Sequence, residues 1–266
     1  MVGLGYLNAI GFYVPAWTPL TVASAVYGLT LATTAVFTET FAPTPYSKFG
    51  SHGQALGKIP SRKAMWIIYL PSMIVCLLFK RIGFTTRLDL IHLLVSGHFL
   101  KRLYEINFVH IYSSSTDLMT ALTITTCYAS TTLLDFLVVR SIPAAVFSGL
   151  WLKLGLVLVI GGEVANAYHH WLLRKLRVNR KNGQNYRLPR GGLFNYAVAP
   201  HYWTEQIAYT GFVMLSQNVV SLCLKMFPMV YLTLRAARTR EWYATRLSPE
   251  EQVELKHRKR LIPFVW

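Results

Sequence analysis

The chain has 266 residues, of which 53% are hydrophobic and 14% charged, with a mean hydropathy of +0.35. A soluble domain of this length is more polar, so composition points to the membrane class. A formal net charge of +16 would suit nucleic acid, but the basic residues sit in short blocks between apolar runs, and no nucleic-acid partner is expected.

The opening Met-Val-Gly-Leu-Gly-Tyr lacks the basic n-region of a cleaved signal peptide, so the first apolar segment is expected to be retained. A spanning helix needs about 20 predominantly apolar residues. Candidates lie at 12–37, 65–79, 88–111, 117–139, 144–171, 202–217 and 219–236. The fold expected is all-α: a polytopic membrane protein of about seven transmembrane helices, one membrane domain over 1–266, with a cytosolic loop capping a cofactor. Residues 38–64, rich in Pro, Thr, Ser, Gly and Lys, read as a cytosolic loop.

With seven crossings and a cytosolic C-terminus, Lys48, Lys58, Arg62 and Lys63, then Arg174 to Arg190, then Arg235 to Arg260 share the cytosolic side. The opposite side keeps Lys80, Arg81, Arg87 and Arg140, as the positive-inside rule requires. The basic tail is also suited to touch anionic membrane lipid. Cys76, Cys127 and Cys223 all fall in apolar segments without CxxC spacing, which suggests neither zinc nor a disulfide scaffold.

Ionisable groups inside apolar segments are costly and mark function by default. The third segment carries His98, Lys101, Arg102, Glu105 and His110, with helical spacing from both cations to Glu105. Two readings stand: an internal ion pair that sets packing, or a cationic cofactor lining, since one carboxylate cannot neutralise so many bases. The fifth segment ends in Glu163, Asn166, Tyr168, His169, His170 and Trp171, followed by Arg174, Lys175 and Arg177. Asn166 and His170 lie one turn apart, placed to hold an amide or a ribose. One His-His pair without further histidine boxes does not make a diiron site, and no metal is expected.

Between the fifth and sixth segments runs Tyr186-Arg-Leu-Pro-Arg-Gly-Gly-Leu-Phe-Asn-Tyr-Ala-Val-Ala-Pro-His-Tyr-Trp-Thr-Glu205. Gly191 and Gly192 permit φ > 0 or close approach of a ligand, and Arg187 and Arg190 suit phosphate. No GxGxxG follows a strand, so this is not a Rossmann site.

This loop and the end of the chain resemble the steroid 5α-reductase family, membrane enzymes that use NADPH to reduce a double bond conjugated to a carbonyl. The resemblance is carried by Asn166 through Arg177, Tyr186-Arg187-Leu188-Pro189, Gly191-Gly192-Leu193-Phe194, Pro200-His201-Tyr202 and Glu205. Arg235, Trp242-Tyr243 and Leu261-Ile262-Pro263-Phe264 continue it. Tyr46-Ser47-Lys48-Phe49 and His98-Phe99 through His110 match less specifically. The resembling C-terminal region runs over 117–266.

The resemblance implies that Arg102, Asn166, His170, Arg177, Tyr186, Arg187, His201, Glu205, Arg235 and Tyr243 hold NADPH. It also implies a multi-pass protein of the endoplasmic reticulum. His201 stands where members often carry Asn, and His170 where some carry Asp. Tyr69 stands where animal members carry Glu, and Phe99 where they carry Tyr, a pair that polarises the steroid ketone. Tyr69 is therefore the catalytic candidate, as a donor to an enone oxygen, or an ordinary aromatic at a helix interface.

The third segment is also similar to the very-long-chain trans-2-enoyl-CoA reductases, whose N-terminal ubiquitin-like domain this chain has no room for; short plant-type members are the nearest in form. The substrate expected is a hydrophobic lipid, a 3-oxo-Δ4-steroid first and an enoyl-CoA as alternative. A membrane methyltransferase of the isoprenylcysteine type and a non-catalytic homologue are the remaining readings.

Overall fold

The computed structural model describes residues 11–44, 57–79, 86–143, 147–178 and 186–266. Every candidate apolar segment coincides with a helix. They are α1 (Pro19–Phe41), α2 (Ser61–Leu78), α3 (Arg87–Phe108), α4 (Leu118–Val139), α5 (Gly149–Val178), α6 (Pro200–Ser216) and α7 (Val219–Ala244). A polar helix that the apolar pattern could not reveal, α8 (Pro249–His257), follows them.

Local signals set the helix starts. Thr18 and Thr21 form a reciprocal capping box before α1, with Pro19 in the first turn. Thr86 and Asp89 do the same for α3, and the Asp117 carboxylate accepts from Thr120 N at the start of α4.

The helices alternate in direction, which follows from what meets at each end. Arg87, at the start of α3, donates to Leu215 O at the end of α6 (2.7 Å) and to Ser148 O just before α5 (3.0 Å). Val219 N, at the start of α7, bonds Tyr13 O ahead of α1 (3.1 Å). The opposite end gathers the start of α2, the ends of α3 and α5 and the end of α1. There Ser61 N bonds Ser114 O (3.1 Å), Arg177 bonds Ile111 O and Arg235 bonds Thr44 O (3.0 Å). A short antiparallel ribbon, β1 (Lys58–Pro60) with β2 (Ser115–Asp117), ties the starts of α2 and α4 at that end.

Five of the seven, α1, α2, α4, α5 and α7, are long and apolar enough to cross a membrane. About seven spans are expected from the sequence; among the described residues each expected segment is helical, but α3 and α6 fall outside that measure, which leaves five candidate spans. α6 has only 17 residues, and α3 carries the bases and acids that its neighbours enclose. The outer surface is apolar, with Phe37, Phe41, Leu78, Val157 and Val164 all exposed, while Glu39, Glu105, Asn166, Glu205 and Arg235 are buried. Polar inside and apolar outside is the arrangement expected of a bundle in lipid.

One close approach decides where the site forms. A Cβ added at Gly162 of α5 would lie 2.7 Å from both Thr204 O and Ala208 N of α6. The two backbones therefore touch, as small residues allow between membrane helices, and the next turn of α5 brings Asn166 against the start of α6.

Candidate active site

At the end where the ribbon lies, α2, α3, α5 and α6 turn their polar residues toward one another. Lys101 is the hub. Its Nζ lies 2.5 Å from Asn166 Oδ1, 2.7 Å from Glu163 Oε2 and 3.6 Å from Glu105 Oε1. The other Glu163 oxygen lies 2.5 Å from His98 Nδ1. The charge count on α3 alone left Lys101 and Arg102 in excess; α5 supplies Glu163 as the missing carboxylate. Its position in an apolar helix was itself the signal.

Tyr69, on α2, is 5% exposed, and its hydroxyl accepts from Arg102 Nη2 at 2.6 Å. Arg102 Nη1 reaches Glu105 Oε2 at 3.3 Å. On the other flank Asn166 Nδ2 donates to His201 O (2.8 Å) and approaches Glu205 Oε2 (3.5 Å). Glu205 Oε1 in turn accepts from Tyr209. His170 Nδ1 lies 3.0 Å from Glu105 Oε2, with its ring 5.7 Å from that of His201. Tyr69, Arg102, Asn166, His170, His201 and Glu205 therefore form one cluster, buried except for the partly exposed Arg102 and His201.

The remaining expected residues lie outside it. Arg177 bonds Ile111 O at the end of α3. Tyr186 packs edge-on against Trp242 (4.5 Å), and Arg187 is exposed. Tyr243 is buried with Leu188, Val198, Leu247 and Leu255. Arg235 pairs with Glu39 of α1 (3.3 Å), an acid that sequence reasoning did not single out. The Tyr46–Phe49 motif lies outside the described residues.

The glycine loop has the conformation its residues allow. Gly191 and Gly192 take φ of +94° and +51°, and a Cβ on Gly192 would sit 2.8 Å from Tyr168 Cε1. His169, passed over in favour of His170, holds this turn. Its Nδ1 contacts Ala165 O (2.6 Å) and its Nε2 accepts from Leu193 N (3.2 Å).

The end of the chain straps the loop. Leu188 N donates to Glu251 (3.0 Å), Arg190 to Glu254 (2.8 Å), and Arg258 to Pro189 O and Glu254. Val198 N bonds Lys259 O (2.9 Å). Burial is the largest single influence on Glu254 and opposes its ionisation, but the hydrogen bonds and charges of Arg190 and Arg258 together outweigh it and hold its carboxyl below the ordinary 4.5.

Glu105, His110 and His170 offer donor atoms within 4.8 Å of one another. Arg102 and Lys101 both approach the same carboxylate, at 3.3 and 3.6 Å. Two fixed positive charges oppose a divalent ion there, so the cluster is better suited to hydrogen bonding than to metal.

Beside the site, toward the middle of the bundle, a cavity of about 410 Å³ including its open mouth is lined by residues that include His98, Phe99 and Tyr128. The Tyr128 ring lies 5.7 Å from that of Tyr69. Phe99 has no hydroxyl, and Tyr128 brings one to the same wall from α4.

Residues 119–266 match the family model described as 3-oxo-5-alpha-steroid 4-dehydrogenase. The chain is 34% identical over 111 residues to rat 3-oxo-5-alpha-steroid 4-dehydrogenase 1, covering 42% of this chain and 40% of that one. It is 30% identical over 125 residues to human 3-oxo-5-alpha-steroid 4-dehydrogenase 2, covering 47% and 46%. It is 28% identical over 118 residues to tomato Steroid 5-alpha-reductase DET2, covering 44% of each chain. The matches thus span less than half the length of each relative. With more than half of its own length, including the loop and its strap, matched by the family model, the chain belongs to the 3-oxo-5-alpha-steroid 4-dehydrogenase family.

Proposed function

We propose that this protein is an NADPH-dependent membrane reductase of a carbon–carbon double bond conjugated to a carbonyl, acting on a 3-oxo-Δ4-steroid. The observation that carries the reading is the Tyr69–Arg102 contact of 2.6 Å, set between a basic polar cluster and a cavity within the bundle. The names of the relatives point the same way.

The residues present fit a dinucleotide. Arg102 Nε and the Tyr112 hydroxyl are buried without a hydrogen-bond partner among the described residues, an arrangement that costs free energy unless a ligand accepts from them. Arg102, Asn166 and Glu205 would hold the nicotinamide end, with Arg177, Tyr186 and Arg187 nearer the opening. When bound, the reduced nicotinamide supplies the hydride.

The chain's own residues do the rest. Hydride addition at the β-carbon moves negative charge onto the carbonyl oxygen, so a donor aimed there lowers the barrier. Because Tyr69 accepts from Arg102, its own O–H is left to donate to that oxygen, and the guanidinium strengthens it as a donor. Tyr128 is close enough to Tyr69 to serve as the second hydroxyl at that oxygen, in place of the one Phe99 lacks. The α-carbon then takes a proton from solvent, leaving a saturated ketone and the oxidised cofactor. The apolar walls of α3, α4 and α6 exclude bulk water while the charge develops.

The site end is also where Arg174, Lys175, Arg177 and Arg235 cluster, which supports a cytosolic face for it and entry of NADPH from that side. The reading places the protein in the endoplasmic reticulum membrane. Microsomes containing the protein, given NADPH and a 3-oxo-Δ4-steroid, should oxidise NADPH and yield the saturated ketone. A parallel trans-2-enoyl-CoA arm tests the alternative substrate. Oxidation with the acyl-CoA alone would replace the steroid reading, and oxidation with neither would remove both.

A further inference from the structure

We infer that the cavity has a second recognition point, Lys225 as held by Asp135, which binds an oxygen function at the end of the substrate remote from the reduced double bond. The inference deepens the proposed reductase reading and rests on it. Lys225 of α7 lies 2.9 Å from Asp135 of α4, with side chains 12% and 10% exposed, and Ser221 holds the other Asp135 oxygen at 2.6 Å. None of these residues takes part in the cluster around Lys101.

An ion pair within two membrane helices carries a desolvation cost. One that only clipped α4 to α7 would be sealed between them. Here Lys225 lines the same cavity as His98, Phe99 and Tyr128. An ammonium has three N–H donors, and Asp135 is the only acceptor of Lys225 among the described residues. Next to it on the cavity wall, the Thr132 hydroxyl spends its proton on Tyr128 O (2.8 Å) and so presents only lone pairs. The wall therefore carries both a donor and an acceptor.

The spacing is set by α4. From Tyr128, beside Tyr69, the helix rises about 6 Å to Thr132 on the cavity wall and about 10 Å to Asp135, the level at which Lys225 is held, at 1.5 Å per residue. A rigid tetracyclic lipid with an oxygen at each end has that span, whereas a flexible acyl chain has no fixed second oxygen. The ligand class is thus a 3-oxo-Δ4-steroid bearing a hydroxyl or ketone on its far ring.

The test compares two probes, a 3-oxo-Δ4-steroid with a C17 hydroxyl and its 17-deoxy counterpart, by equilibrium binding to the oxidised-cofactor complex and by turnover. Wild type should bind the hydroxylated probe at least tenfold more tightly, the loss expected for a hydrogen bond to a charged group. Asp135→Asn/Lys225→Met, which removes both charges together, should bring the two probes within about twofold while NADPH binding stays unchanged. Equal affinity of wild type for both probes overturns the inference, whether or not the double variant folds. So does a double variant that weakens both probes alike, which is the mark of a structural clip. A binding difference without turnover would refute the reductase reading and leave this recognition point standing, while turnover without a difference does the reverse.

Discussion

Glu163→Gln should destabilise the protein far more than its single lost charge suggests. Glu163 and Lys101 sit 2.7 Å apart with side chains 16% and 19% exposed. At an effective dielectric of about 20, charges 2.7 Å apart attract by about 6 kcal/mol, which desolvation partly offsets. Removing one partner of a buried pair costs about 3–5 kcal/mol in practice. Lys101 keeps Asn166 Oδ1 at 2.5 Å and Glu105 at 3.6 Å, which places the loss at the low end. A cost of about 3 kcal/mol lowers Tm by about 6–12 °C in a chain of this size, read by tryptophan fluorescence in detergent micelles. Glu163→Gln/Lys101→Met should recover part of the loss, with a coupling of at least about 1 kcal/mol across the cycle. A single variant within about 1 °C of wild type, or strictly additive costs, would show that the pair is solvated and that Lys101 is not the hub described.

Tyr69→Phe keeps the buried ring and removes the donor; kcat should fall by about 10²–10³ with NADPH affinity unchanged, and normal turnover would remove Tyr69 from the mechanism. Arg187→Ala should weaken NADPH binding by isothermal titration without moving Tm, because Arg187 is exposed. Gly192→Ala must accept φ of +51° and a Cβ 2.8 Å from Tyr168; it should cost about 1 kcal/mol or more in stability and raise the NADPH Kd. Since the folded pKa of Glu254 is depressed below 4.5, its contribution is present above the unfolded value and is lost as pH falls through the folded one. Protection against amide exchange over residues 186–190, relative to the free-chain rate at the same pH, should therefore fall as Glu254 protonates below the ordinary carboxylate range in wild type, and Glu254→Gln should show the reduced protection already at neutral pH.

The helices were legible because apolar length is a local property. Each of the segments from 12–37 to 219–236 became a helix, and Gly191 and Gly192 took the positive φ their missing Cβ permits. α8 was not legible, since Pro249–His257 is polar and its role lies in what it reaches. Ser248 caps it, but nothing local shows that Glu251 and Glu254 will meet Leu188 and Arg190, more than 60 positions earlier.

The site divides in the same way. A cation in an apolar helix announces that it needs a partner, and does not say on which helix. Arg235 waited on Glu39, and Lys101 on Glu163; the pairings depend on which backbones approach, as Gly28 of α1 approaches Cys223 of α7 and Gly162 of α5 approaches Thr204 and Ala208 of α6. It follows that charge counted along one helix misjudges a site shared by four. On α3 alone the bases exceed the acids, and that excess first suggested an anion-binding lining. With Glu163 and Glu205 brought in from α5 and α6, much of the excess is neutralised before any ligand arrives. What remains to favour an anionic cofactor is narrower and more specific: Arg102 Nε and the Tyr112 hydroxyl, without a partner among the described residues, and the exposed Arg187 of the loop. The same logic directs attention to Lys225, whose carboxylate partner on α4 leaves donors that face the cavity.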